Sequence, residues 1–98
     1  MHFENLKEWI YSSLTSVAGI KGFAPLTPEN GYNKENDGFV VEVDQEDENK
    51  INVYLGLILI KNINAKNIVE EIYEVVKYQL NKEGMHLSKI LIYIKGTE

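Results

Sequence analysis

Apolar residues change their spacing along this chain, and each change predicts an element. Phe3, Leu6, Ile10, Leu14 and Val17 recur at helical spacing with Lys7, Glu8, Ser12 and Ser16 between them, which predicts a helix over about 3–18. Asn5 and Glu8 offer a capping box, and Gly19 suits the left-handed turn that closes a helix. Trp9 falls off the stripe. Ile20 to Leu26 reads as a short edge strand, because Pro25 is tolerated only at an edge or a strand end. The run from Thr27 to Gly38 is rich in Pro, Asn, Gly and charge and reads as a surface loop, with Tyr32 as its apolar anchor. "FVVEV" (39–43) and "INVYLGLILI" (51–60) then alternate as strands, and the polar "DQEDENK" between them predicts an antiparallel hairpin.

Asn64 is a good N-cap, and Ala65, Ile68, Val69, Ile72, Tyr73, Val76 and Leu80 form one broad stripe behind it. Glu70, Glu71 and Glu74 near the start and Lys77 and Lys82 near the end suit the helix dipole, and Gly84 closes the helix. "HLSKILIYIK" (86–95) alternates again as a final strand. The expected fold is α+β: a small mixed sheet in the order α-β-β-β-α-β, with two helices packed on one face. A strand–helix–strand return makes the last strand parallel to the third. Residues 1–98 form a single domain, since this length allows a modest core and no second one.

One segment resists this simple picture. "VYLGLILIK" (53–61) carries apolar residues at both parities, and "ILIYIK" (90–95) does the same. Ile51, Val53, Leu55, Leu57 and Leu59 are expected to face the helices with Phe39, Val41, Val43, Ile90, Ile92 and Ile94. Tyr54, Ile58, Ile60, Leu91 and Tyr93, with Val40, are then left on the opposite face, unless a bulge at Gly56 exchanges the later residues. Two helices cover one face of a small sheet. The second face is therefore expected to meet a second copy or another protein, with Tyr54, Ile58, Ile60, Leu91 and Tyr93 as the interface. The alternative is that Trp9, Phe23 and the long loop fold over it.

Charge and composition narrow the function. The formal net charge is −5, and all 10 basic residues are Lys, so neither a phosphate-attracting surface nor an arginine fork is available for nucleic acid. There is no Cys, which removes disulfides, thiolate catalysis and cysteine zinc sites. His2 and His86 stand apart, so no metal or cofactor is expected. Asp44, Glu46, Asp47 and Glu48 lack the glycine and glutamate spacing of a calcium loop and read as a solvated turn with at most weak cation binding. Glu70, Glu71 and Glu74 read as a solvated helix face, and no nucleophile–base arrangement can be assembled, so no enzyme is expected. Glu4, Lys7 and Glu8 interrupt the apolar run that a signal peptide needs, and no run approaches a membrane helix, so a cytoplasmic protein is expected.

Together these pieces resemble the second half of the alkaline shock protein family, small bacterial envelope-stress proteins. The resemblance lies in a strand ending in acidic residues (Val41 to Asp44), an alternating strand (Val53 to Leu59) and an Asn-Ile lead-in to a helix (Ile63 to Ile68). It continues in that helix with its closing glycine (Val69 to Gly84) and a last strand ending on Gly96. "SSLTSVAGIKGF" is similar to the family's preceding helix and turn. The resemblance implies a non-enzymatic cytoplasmic scaffold or interaction protein that self-associates or docks to a protein partner near the envelope, without inserting in the membrane. It supplies no catalytic residues. The competing class is a small KH-like nucleic-acid-binding module, suggested by the Gly19-Ile20-Lys21-Gly22 motif. Pro25 and Pro28 argue against the second helix such a module needs.

Overall fold

The structure, a computed structural model, describes residues 3–98, with side chains from Asn5 onward. The elements follow the expected order: α1 (Phe3–Leu14), β1 (Ile20–Phe23), β2 (Phe39–Val43), β3 (Lys50–Leu59), α2 (Ala65–Lys82) and β4 (His86–Thr97). A single 3-10 turn, Pro28–Asn30, interrupts the connection between β1 and β2. The α1 helix stops at Leu14, short of the expected residue 18. Its last residues unwind through turns into Gly19, which sits at φ +106° and accepts from the Ile60 N–H (2.8 Å).

β3 is the spine of the sheet. β4 pairs with it in parallel along its whole length, from Lys50 opposite His86 to Leu59 opposite Thr97. The other edge of β3 is shared end to end by two antiparallel strands: β2 occupies Ile51 to Leu55 and β1 occupies Leu57 to Leu59. β1 and β2 are thus two pieces of one line, interrupted by the excursion 24–38. At the junction Gly56 donates to the Gly38 oxygen (2.8 Å) and accepts from the Ala24 N–H (2.9 Å), so the ladder continues through the break.

No bulge occurs at Gly56. Leu55 and Leu57 on either side of it are both fully buried, and parity runs through unchanged. The register shifts lie elsewhere: on β1 between Ile20 and Gly22, and on β4 near Ser88 and Lys95.

Both helices pack on one face. Leu6, Ile10 and Leu14 of α1 and Ile68, Ile72, Val76 and Leu80 of α2 meet Ile51, Val53, Leu55, Leu57 and Leu59 in one contiguous core with Phe39 and Val41. The expected N-cap of α2 holds: the Asn64 side chain accepts from the Asn67 N–H (3.2 Å). Two residues assigned to this core by alternation depart from it. Val43 is 40% exposed and Ile94 is 43% exposed. They sit at the end of β2 and on the outer strand, beyond the helices' cover.

The meeting of three backbones at Gly56 dictates two residue types. A Cβ on Gly56 or on Gly38 would overlap the Ala24 carbonyl oxygen, and Gly38 also holds φ +89°, a region that L side chains rarely adopt. Gly22 has open space instead. Gly56→Ala and Gly38→Ala are each expected to cost about 1–3 kcal/mol, the usual penalty of forced overpacking. That corresponds to a melting temperature lower by roughly 4–8 °C per kcal/mol for a domain of this size. Gly22→Ala should melt with the wild type, and thermal unfolding followed by circular dichroism measures all three.

Candidate functional site: the sheet surface away from the helices

Leaving β1, the chain turns onto the second face of the sheet. A Cβ built on Gly56 would have the parity of Tyr54 and Ile58, and its neighbours there are Ala24 and the Leu26 side chain. Leu26 is only 4% exposed yet lies outside the main core, buried on this face beside Gly56. The expectation of a loop anchored by Tyr32 alone misses this residue, which stands one position before the Thr27–Asp37 run.

A staple fixes the base of the excursion. Asn36 Oδ1 accepts from the N–H groups of Leu26 (2.8 Å) and Gly38 (2.9 Å), while Asn36 Nδ2 donates to the oxygens of Leu26 (3.0 Å) and Lys34 (2.9 Å). One amide thereby satisfies backbone groups on both arms of the loop. Asn30 fixes the tip. Its Oδ1 accepts from the Thr27 N–H (3.1 Å) and from Lys95 Nζ of β4 (2.8 Å), which reaches across the face. Neither role could be read from the string. Asn-rich loops look alike in sequence, and only the path of the chain selects which amide meets two arms.

The excursion covers part of the face. Tyr32 packs on Tyr54 with ring centroids 5.6 Å apart and donates its hydroxyl to Glu42 Oε2 (3.2 Å). Lys89 sits over the same Tyr54 ring, 5.6 Å from its centroid. Beside these groups an open cleft of about 530 Å³ is lined by Tyr32, Lys34, Tyr54, Lys89, Leu91 and Tyr93, among others. Of the five residues assigned to the interface, Tyr54 is thus screened by Tyr32. Ile58, Leu91 and Tyr93 are half-buried, and Ile60 is 44% exposed past the end of β3. Phe23 does not cover this face. It stacks with Phe39 on the helix side (5.6 Å), where Tyr11 joins both rings, and Trp9 lies on α1, 36% exposed.

The other candidate residues separate. Asp44 Oδ1 and Asp47 Oδ1 accept from the N–H groups of Glu46 and Asn49 (2.9 Å each), as carboxylates do in tight turns. Among the described residues no group of three His, Asp or Glu side chains is placed to hold a metal ion. His86 is exposed at the start of β4, and His2 lies outside the described residues. Glu70, Glu71 and Glu74 are exposed along α2. Gly19 to Gly22 runs from the exit of α1 into β1, so the motif does not join two helices. Among the described residues no helix is long and apolar enough to cross a membrane.

No family model, no curated protein and no solved structure matches this chain.

Two expectations concern the excursion. Asn36→Ala leaves the Leu26 and Gly38 N–H groups without their acceptor; it should lower the melting temperature and speed trypsin cleavage at Lys34 well beyond the rate in the wild type. Equal cleavage would mean that the staple does not hold the loop. Tyr32 supplies the second test. Partial burial, and then the Glu42 carboxylate, raise its pKa above the usual phenol value. A raised acid pKa means the packing is fully present below the unfolded value and is lost as pH rises through the folded value. Difference absorbance against Tyr32→Phe should therefore show Tyr32 ionising later than a free tyrosine, with the Tyr32–Tyr54 contact released as it does.

Proposed function

We propose that this chain is a non-enzymatic interaction or scaffold protein that docks through the part of its second sheet face that the excursion leaves open. The supporting observation is the surface along β4. Leu91 and Tyr93, with Ile58 beside them, remain half-buried after the loop has folded down, and Ile60 and Ile94 stay exposed at the margin. Apolar side chains in contiguous rows on both faces of an outer strand are what a protein interface uses, and isolated surface apolar residues are not arranged so. The resemblance to the alkaline shock proteins supports placing this docking in the cytoplasm, in the bacterial response to envelope stress, with a second copy or a membrane-anchored protein as the partner.

Nucleic acid is the weaker reading. Lys34 and Lys89 line the cleft with tyrosines, but the Tyr54 ring already has Tyr32 packed against it and Lys89 over it, which leaves it poorly placed to stack a base.

Charges placed on the open face discriminate. Ile58→Glu and Leu91→Lys should abolish association while lowering the melting temperature far less than Leu57→Glu, because Leu57 is 0% exposed beneath the helices. Sedimentation equilibrium and thermal melts on these variants decide it. If the face variants unfold as readily as Leu57→Glu, the face is internal and the docking role fails.

A further inference from the structure

The docking reading leaves the partner open, and β4 narrows it. Strand β4 pairs only with β3, so its outer edge is unpaired among the described residues. The backbone groups on that edge can be assigned. Gly56 directs both of its groups to the β1/β2 side, so the odd-numbered residues of β3 direct theirs to β4. Val53 stands opposite Ile90 and Leu55 opposite Ile92, so Lys89, Leu91 and Tyr93 answer from β4. The same phase reappears at the strand's end, where the Glu98 N–H donates to the Leu59 oxygen and the Glu98 oxygen accepts from the Lys61 N–H (2.9 Å each). Ile90, Ile92 and Ile94 therefore point their N–H and C=O groups outward, unpaired.

The sequence of this edge is symmetric about its centre. "KILIYIK", Lys89 to Lys95, reads in nearly the same pattern from either end, with Ile92 in the middle. Resting on the docking reading, we propose that the partner is a second copy of this chain, paired antiparallel along the outer edge of β4 about a two-fold axis at Ile92. In that register Ile92 faces its own equivalent, Ile90 faces the second copy's Ile94, and Leu91 faces the second copy's Tyr93. The outward groups then complete about six intermolecular backbone hydrogen bonds, two per facing isoleucine pair. The isoleucines form one apolar seam on the helix side, and Leu91 and Tyr93 form another on the second face.

Three observations fit this occupant. The register shifts near Ser88 and Lys95 bracket the regular stretch, so the edge departs from regular pairing where the palindrome ends. The two lysines that would otherwise guard an edge lean inward over their own molecule, Lys89 onto Tyr54 and Lys95 onto Asn30. On the helix side, Gln79 marks the flank of α2 that meets Ser13 of α1. Helical geometry sets Val69 and Tyr73 on the opposite flank, above the β4 edge, where Tyr73 is 38% exposed and available to the second copy's helix.

The chain has no Cys, so introduced thiols report register cleanly. Facing residues whose backbone groups point away from each other lie about 4.5 Å apart at Cα, within disulfide range. Leu91→Cys and Tyr93→Cys proteins, mixed and oxidised mildly, should give far more cross-linked dimer than either alone. Equal yields in the mixture and in the two separate samples would overturn the register and the pairing with it. Ile94→Pro removes an outward donor without touching the β3 ladder, and sedimentation should show it monomeric with a near-native melt. If assembly survives Ile94→Pro but is lost in Leu91→Lys, edge pairing is overturned while docking through the face stands. A wild-type chain that stays monomeric at millimolar concentration also overturns the second copy as partner. Should Ile94→Pro not fold, the cysteine pair decides alone.

Discussion

Everything in this molecule is arranged around the crossing of three backbones at Gly56. β3 must serve two neighbours on one edge, and the chain must leave that edge and return to it within a single residue of β3. Gly56 bonds to both ends of the departing segment, to Ala24 and to Gly38. The absence of a side chain there lets the Ala24 carbonyl pass directly over the sheet. A larger residue would push the excursion off the second face. Leu26 would then lose its burial, and Asn36 would lose the two arms it joins.

That crossing sets the division of the second face. Near the junction, Leu26 and the excursion close the sheet, and Tyr32 extends the cover onto Tyr54. Toward β4 the cover ends at Lys95 and its bond to Asn30. The helix layer ends at the same margin on the other side, since Ile90 and Ile92 are only partly buried and Ile94 is exposed. The helix-side residues of β3 are thus fully buried, its second-face residues Tyr54 and Ile58 are half-buried, and cover thins further toward β4 on both faces. A partner that extends the sheet from β4 would carry its own cover to both faces at once, whereas a partner lying on one face would leave the other margin open.

The sequence made most of the fold legible because alternation and helical spacing are local signals. The parity of Ile51 to Leu59, the Asn64 cap and the parallel return of β4 all follow from them. What stayed hidden is non-local. β1 and β2 look like separate strands with a loop between, and nothing in their composition says that they share one edge of β3. Leu26 reads as the tail of a strand because alternation cannot show a chain leaving the plane of the sheet. Gly56 reads as a possible bulge, whereas the reason for a glycine, a second backbone passing over it, lies in the path of Ala24, far away along the chain. Parity groups Tyr54, Ile58, Leu91 and Tyr93, and the register sets Leu91 opposite Tyr54, but parity cannot reveal that Tyr54 lies under the excursion or that Ile60 falls past the end of β3.

Pairing along β4 depends on which of its backbone amides are already bonded within one chain, and residue-resolved hydrogen exchange as a function of protein concentration reads that directly. In dilute solution the amides of Leu91 and Tyr93, bonded to β3, should exchange slowly, while those of Ile90, Ile92 and Ile94 exchange fast. Raising the concentration should protect those three alone, leaving Leu91 and Tyr93 unchanged. If Ile90, Ile92 and Ile94 remain unprotected at concentrations where the chain is assembled, the outer edge of β4 is not where copies of this protein meet.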